Sequence, residues 1–457
     1  MRFIALAIIL GSIPLLINLL RQDPAWRLRL LMLLGLALFL GDNIRSEAAI
    51  IGWPMWNGTA KAMELGPSDA LAVALLVTRG RRAGGKLPFW WLFGFYGLML
   101  ALSIVVSAVP LAAVFSTWQY ARCLLVFAAV GGEVDRPEAR TALFKGLALG
   151  LMLQAGYVAQ QKAGGMVQAT GTMYHQNPLG MMVEFSVLPL VAALLAGERS
   201  NLVKVGVIAG LLVIAGGGSR GAMVNTAGGI VLLILLSLIR GSTPVKLKIA
   251  GMGVVALIVA VPLGMMTLKD RFGGSSVITV ESERQAFERA ASAMASDHPL
   301  GVGANQYVPI ANTKGYAAEA GVAWNQANRS APVHNAYLLA RAETGWGGEL
   351  GLILILAVPF WRGIRFAFKN RRSLAGEVAL GSAVALAANI IHNNYEYAVH
   401  NATVLKLMFV NCALIAAQLR AARVRRPDGL SRNAPRPAAG ALTRAANMHT
   451  RPQGVGG

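Results

Sequence analysis

Charge is scarce in this 457-residue chain: Asp, Glu, Lys and Arg together make up 14% of it, against about 25% in an ordinary soluble domain. A soluble surface cannot be built from so few charges, so the two or three globular units that the length alone would suggest are excluded. With 55% hydrophobic residues, a disordered chain and a charge-rich coiled coil are excluded as well. Cysteine is nearly absent. Cys123 and Cys412 both lie inside apolar runs, which removes a disulfide scaffold and a cysteine-based zinc site. Acid is scarcer than base, 21 residues against 42, for a net charge of +21; in a soluble protein that excess would indicate nucleic acid. Nucleotide fingerprints are missing too, because Gly216-Gly-Gly-Ser-Arg220 follows no strand and lacks the lysine of a phosphate-binding loop. What remains is an integral membrane protein, and the question about its charge becomes one of sides.

Runs long enough for a membrane helix, which needs roughly 20 mostly apolar residues, occur near 3–20, 29–41, 66–78, 88–109, 112–131, 143–160, 178–197, 204–217, 221–239, 249–268, 338–360, 374–392 and 402–419. They predict an all-α polytopic protein of about twelve spans over residues 1–419. The first run is kept as a span because Arg21-Gln-Asp-Pro-Ala-Trp-Arg27 follows it where a secretory cleavage site would need small residues.

Basic clusters lie at 21–29, 79–86, 240–248, 361–373 and from Arg420 onward, and an even number of crossings separates each from the next. All five therefore share one side, and short basic loops belong in the cytoplasm. These stretches hold 23 basic residues and two acids, Asp23 and Asp428, which is the whole excess of +21. The apparent nucleic-acid footprint is a topology signal, and no nucleic-acid partner is expected. By the same parity 42–65, 161–177, 217–221, 269–337 and 393–401 face outward. Of these, 269–337 is the one long loop, and long loops in compact proteins are usually functional. Within it Ser282–Ala295 reads as a short helix bearing Arg284 and Arg289, and Gly301-Val-Gly303 forces a turn. The Pro/Gly/Ala/Arg-rich stretch 420–457 reads as a disordered basic cytoplasmic tail.

Ionisable groups inside a membrane are expensive and therefore informative. Arg122 falls near the middle of a span, and Arg220 stands at an outer helix end in Gly216-Gly-Gly-Ser-Arg220-Gly221. Each guanidinium needs an anionic partner, either a ligand or a protein acid such as Glu184. His334-Asn335, nine further residues, Gly345, two more and Gly348 mark the point where the long loop re-enters the membrane; imidazole there can move a proton near neutral pH. In Gly171-Thr-Met-Tyr-His175-Gln-Asn177-Pro178, Asn177 reads as an N-cap with proline at the first helical position. A cap alone and a role in sugar binding are both open for His175 and Asn177. His392, His400 and Asn393-Asn-Tyr-Glu-Tyr397 form the last outward turn, a weak signal for an acceptor groove. Glu281-Ser-Glu283 is a poor metal motif and the histidines lack ligand spacing, so neither a metal nor a cofactor is expected. Several arginines and a histidine on one face suit a lipid-tailed diphosphate, since guanidinium matches phosphate oxygens in geometry and never loses its charge.

Ser219-Arg220-Gly221, Arg284, Pro299-Leu-Gly301-Val-Gly303 and His334-Asn335…Gly345…Gly348 together resemble the superfamily of O-antigen ligases and O-antigen polymerases (Wzy-C-like) over about residues 87–419. The resemblance implies a metal-independent, inverting glycosyltransferase of the GT-C type. It would sit in a bacterial inner membrane with its site facing the periplasm. The donor it implies is an undecaprenyl-diphosphate-linked glycan held by Arg220 and Arg284, with His334 activating or positioning the acceptor hydroxyl. Arg122, Ser219, Asn335, Arg289, His175 and Asn177 are then candidate substrate-binding residues. A ligase-type acceptor, the lipid A core, is favoured by the His334 motif. His175-Gln-Asn177-Pro-Leu-Gly is of the kind found in exopolysaccharide polymerases, whose acceptor is a growing glycan. A flippase for the same lipid-linked glycan is the reading from another class, though no repeat of two halves is visible.

Overall fold

The computed structural model describes residues 2–41, 44, 46–80, 85–253, 277–397 and 400–424. Arg81 and Arg82, most of the expected span 249–268, the first part of the long loop (269–276), the side chain of Glu281 and the tail beyond 424 lie outside the described residues.

The elements run α1 (Arg2–Gln22), α2 (Trp26–Ala37), β1 (Ala48–Gly52), β2 (Ala62–Leu65), α3 (Pro67–Val77), α4 (Trp90–Val106), α5 (Pro110–Glu133), α6 (Pro137–Ala163), α7 (Gln176–Leu195), α8 (Asn201–Gly217) and α9 (Arg220–Arg240). After α10, helical over 244–253, come α11 (Val277–Asp297), α12 (Tyr307–Thr313), α13 (Tyr316–Glu319), α14 (Ala336–Lys369), α15 (Leu374–His392) and α16 (Ala402–Val424). Among the described residues, eight helices (α1, α5, α6, α7, α9, α14, α15 and α16) are long and apolar enough to cross a membrane, and α3, α4 and α8 are shorter apolar helices. α7 forms the centre, with 94% of its apolar stretch buried, whereas α1 lies at the rim with 11% buried. α7 packs on α8, α9 and α15; α16 packs on α5 and α15, and α14 on α4 and α15.

Two features correct the all-helical expectation for 29–78. α2 and α3 have 12 and 11 residues, which at ~1.5 Å each reach about 18 Å and 17 Å, short of a ~30 Å hydrocarbon layer. Between them stands an antiparallel hairpin, β1 with β2, bulged between Ala49 and Ile51. It descends along α5, where Trp118 Nε1 donates to Glu64 O at 2.7 Å.

The parity of the basic clusters is reproduced at the helix ends. Arg27 pairs with Glu133 at 3.0 Å, Arg420 with Asp135 at 2.8 Å, and Arg240 with Glu377 at 2.7 Å. Arg79 lies against Gly132, and Arg240 also donates to the carbonyls of Asn370 and Arg371. Parts of all five clusters thus gather at one end of the bundle. The opposite end collects the hairpin, the 107–109 turn and the long loop, joined by Asn305. This residue adopts a left-handed φ of 65°, donates from Nδ2 to Ala60 O and Ala112 O, and accepts from Ala60 N on Oδ1.

The predicted turn at Gly301 and Gly303 is present, with φ of 83° and 105°. It is matched by a break in α14 at Gly345 (φ 70°, ψ −173°), a backbone region essentially confined to glycine. Val302 N and Gly303 N donate to the carbonyls of Ala342 and Glu343, both at 2.9 Å. A Cβ on Gly345 would stand 2.5 Å from Pro299 O. The glycines of the two motifs therefore let the long loop lie directly on the first turns of α14, the helix that His334 precedes.

Candidate active site

His334 is fixed by the start of α14. Asn335 is the N-cap, its Oδ1 accepting from Tyr337 N and Leu338 N at 3.1 Å each, which satisfies two of the free amides of a helix start. Ala336 N donates to Asn393 O at 2.8 Å and Glu396 O at 3.1 Å, so the turn after α15 is stitched to the same point. Tyr397 of that turn lies over the His334 ring at 5.3 Å between centroids, and Phe287 of α11 meets it edge-on at 6.3 Å. The Nδ1 of His334 is buried with no hydrogen-bond partner among the described residues. Burial first, then the charge of Arg284 and the nearby His175, push its pKa down to about 4. At neutral pH it is an uncharged imidazole.

Arg284 reaches the same place from α11. This helix begins at Val277 and ends at Asp297, enclosing the shorter stretch expected at Ser282–Ala295. The Arg284 guanidinium stands 4.0 Å from Glu396 Oε1, its side chain 37% exposed and that of Glu396 5%. Asn177 Nδ2 donates to the same Glu396 oxygen, bringing α7 into the cluster. The cap of α7 differs from expectation: His175, not Asn177, is the N-cap, its Nδ1 accepting from Asn177 N at 3.3 Å. That leaves the Asn177 amide free for Glu396. Burial lowers the His175 pKa. Burial raises that of Glu396 to about 7, against the opposing pull of His392, Arg284 and Asn177.

α9 closes the cluster from a third side. Ser219 is its N-cap, Oγ accepting from Ala222 N at 3.5 Å, and Arg220 is the first helical residue, exposed. Gly221 permits close contact with the turn after α15: a Cβ there would stand 2.7 Å from Tyr395 Cε2 and 3.4 Å from His392 Nε2. Asn225 Nδ2 donates to the Tyr395 hydroxyl at 2.6 Å. His392, fully buried, holds Glu184 through Nδ1 at 2.7 Å, while its Nε2 has no hydrogen-bond partner among the described residues.

The structure thus brings His334, Arg284, His175 and Asn177 together, with Arg220 on the adjoining helix start. Ser219 and Asn335 serve as helix caps. Arg289 is separate: five residues along α11, it is turned by roughly 140° from Arg284 and donates to Ala320 O at 2.9 Å. Arg122 is separate as well. It donates twice to Glu47, at 2.9 and 2.6 Å, and once to Asp69 at 2.9 Å. Lys406 adds a second cation to Glu47 at 2.9 Å. Arg122 is thereby satisfied by protein acids, though not by Glu184, which belongs to His392. Burial raises the Glu47 pKa, but Lys406 and Arg122 outweigh it and hold the carboxyl well below the usual range. His400 is apart from the cluster, lining a cavity with Tyr96, Gln119 and Glu343.

In the sequence Glu396 and His392 carry only a weak signal for an acceptor groove and Glu184 only that of a partner for an arginine; their mutual arrangement at the site is not legible there. The signal available was the polar run 393–397 together with an acid, Glu184, inside an apolar span. No family model matches the chain, and no curated protein matches it.

Proposed function

We propose that the protein transfers a glycan from an undecaprenyl-diphosphate carrier to a sugar hydroxyl, at the end of the bundle opposite the basic clusters, which faces the periplasm. The observation that carries this is the meeting of Arg284 with an uncharged, unpartnered His334 beside the start of α9 and its Arg220. The two arginines bind the diphosphate, and fixed guanidinium groups stabilise the charge that grows on it as the glycosidic bond breaks. The acceptor oxygen bonds to the anomeric carbon as the carbon–oxygen bond to phosphate breaks. The bonding electrons leave with undecaprenyl diphosphate, and the hydroxyl proton passes to His334. A pKa of about 4 makes His334 a weak base in the empty site. One of the causes is the cationic Arg284, and an anionic donor beside that arginine offsets it, so the base strengthens when the donor is in place. A ligase-type acceptor, the lipid A core, follows from the His334 motif. The stretch His175-Gln-Asn177-Pro-Leu-Gly, which resembles exopolysaccharide polymerases, supports as a second reading a polymerase whose acceptor is a growing glycan.

His334→Asn is expected to lower transfer by about 10²- to 10⁴-fold, the usual contribution of a positioned acid–base group. Because the pKa of His334 in the empty site is depressed to about 4, kcat/KM, which reports the free enzyme, is expected to stay level as pH falls until it nears that value. Transfer rates of purified protein between pH 4 and 8 test both points; a His334→Asn variant within threefold of wild type throughout would exclude His334 as the proton acceptor.

A further inference from the structure

We propose that Glu396 is the counter-ion of Arg284 in the empty site and takes up a proton when an anionic diphosphate occupies that arginine, making donor binding proton-coupled. This rests on the donor assignment above.

The geometry supplies the reason. The Glu396 carboxylate is 4.0 Å from the Arg284 guanidinium and is bonded by Asn177. Its own backbone carbonyl accepts from Ala336 N, which anchors the main chain, and the side chain is only 5% exposed. A diphosphate held by Arg284 must lie beside this buried carboxylate, and two like charges so close raise the pKa of one of them. The diphosphate remains charged because the arginine favours its anion; the carboxylate is the group that yields.

The charged and titratable groups near Glu396 come from several elements: Arg284 on α11, His392 on α15, Tyr395 and Tyr397 in its own turn, Glu184 on α7 with His175 capping that helix, and His334 before α14. Of these, His392 and Arg284 pull its pKa down, yet burial leaves it at about 7. A modest further rise protonates it at the pH of the cell exterior. Glu396 is a positioning residue in this scheme, setting how readily Arg284 is released to the donor.

The sign of the effect is testable. Above about pH 7 the empty site loses the proton that the loaded site keeps, so affinity for the donor falls with rising pH, by at most tenfold per unit for one proton. The measurement is binding of undecaprenyl diphosphate to wild-type, Glu396→Gln and Arg284→Ala protein in nanodiscs from pH 6 to 9. Expected are weakening of wild type above pH 7, and for Glu396→Gln a flat profile with affinity at least tenfold tighter than wild type at pH 8.5. A merely structural glutamate would give a variant that binds more weakly. Weaker binding by Glu396→Gln, or an unchanged slope, overturns the proposal. If Arg284→Ala abolishes binding while Glu396→Gln keeps the slope, only this proposal fails. If wild type does not bind, or Arg284→Ala binds as well as wild type, the donor assignment itself fails. Should Glu396→Gln not insert, calorimetry of wild type in buffers of different ionisation heat decides: about one proton taken up per diphosphate at pH 8 supports the scheme, and none overturns it.

Discussion

Arg284→Ala, and equally Arg284→Lys, is expected to abolish glycan transfer while the protein still folds and inserts. Removing one preorganised donor to a developing oxyanion costs about 10²- to 10³-fold, and Arg284 supplies several donors to a diphosphate. Lysine keeps the charge but presents a compact ammonium on a flexible stem, without the planar fork that matches two phosphate oxygens at once. Folding survives because Arg284 is more than a third exposed and its ion pair with Glu396 is long; once the arginine is gone, Glu396 is relieved of its charge by protonation. Cells carrying either variant as their only copy should show protein at wild-type level in the membrane and no mature lipopolysaccharide or exopolysaccharide. Normal polysaccharide from those cells would sink the donor assignment.

Arg122→Ala is expected to fail in the opposite way, through the fold. Arg122 is 3% exposed and Asp69 2%, and the guanidinium bridges Glu47 at the base of the hairpin to Asp69 at the start of α3. Removing it strands a buried acid, which costs about 3–5 kcal/mol; Lys406 still serves Glu47, but among the described residues Asp69 loses its ion-pair partner. The variant should show a lowered Tm and poor recovery from membranes, partly restored by combining it with Asp69→Asn, since residues in one network are not additive. An Arg122→Ala protein with unchanged Tm and lost donor affinity would return this arginine to the binding site.

Much of the fold was legible because hydropathy and the placement of Lys and Arg act over whole segments, and errors at one residue do not move a span. The gathering of Arg27, Arg79, Arg240, Arg371 and Arg420 at one end follows from counting crossings alone. The turn at Gly301 and Gly303 was also legible, since closely spaced glycines announce a backbone that other residues resist; the break at Gly345 was not, because that glycine lies inside an apolar run read as one span. The hairpin was not, because strands of five and four residues carry too short a pattern to read, and their connection is fixed at Ala60 by Asn305, 245 residues away. The cap of α7 was misassigned by one Asx-type signal: a histidine ring does the work expected of Asn177. In the site, the sequence marks side chains that are costly to bury but not their partners. Arg122 and Glu184 were both flagged as expensive, and each proved to be neutralised by a residue distant in the chain. Glu396 was visible only as one polar residue in a polar turn; its weight comes from three elements converging on it.

Chemistry on a lipid-linked donor and mere movement of that donor leave different products in detergent. The most direct measurement follows a labelled undecaprenyl-diphosphate glycan with the purified protein and a sugar acceptor in detergent, where no membrane separates two compartments. Release of free undecaprenyl diphosphate with the label passing to the acceptor, both lost in Arg284→Ala, is the predicted result. An intact donor in detergent, with the same protein carrying that donor across liposomes, would contradict it.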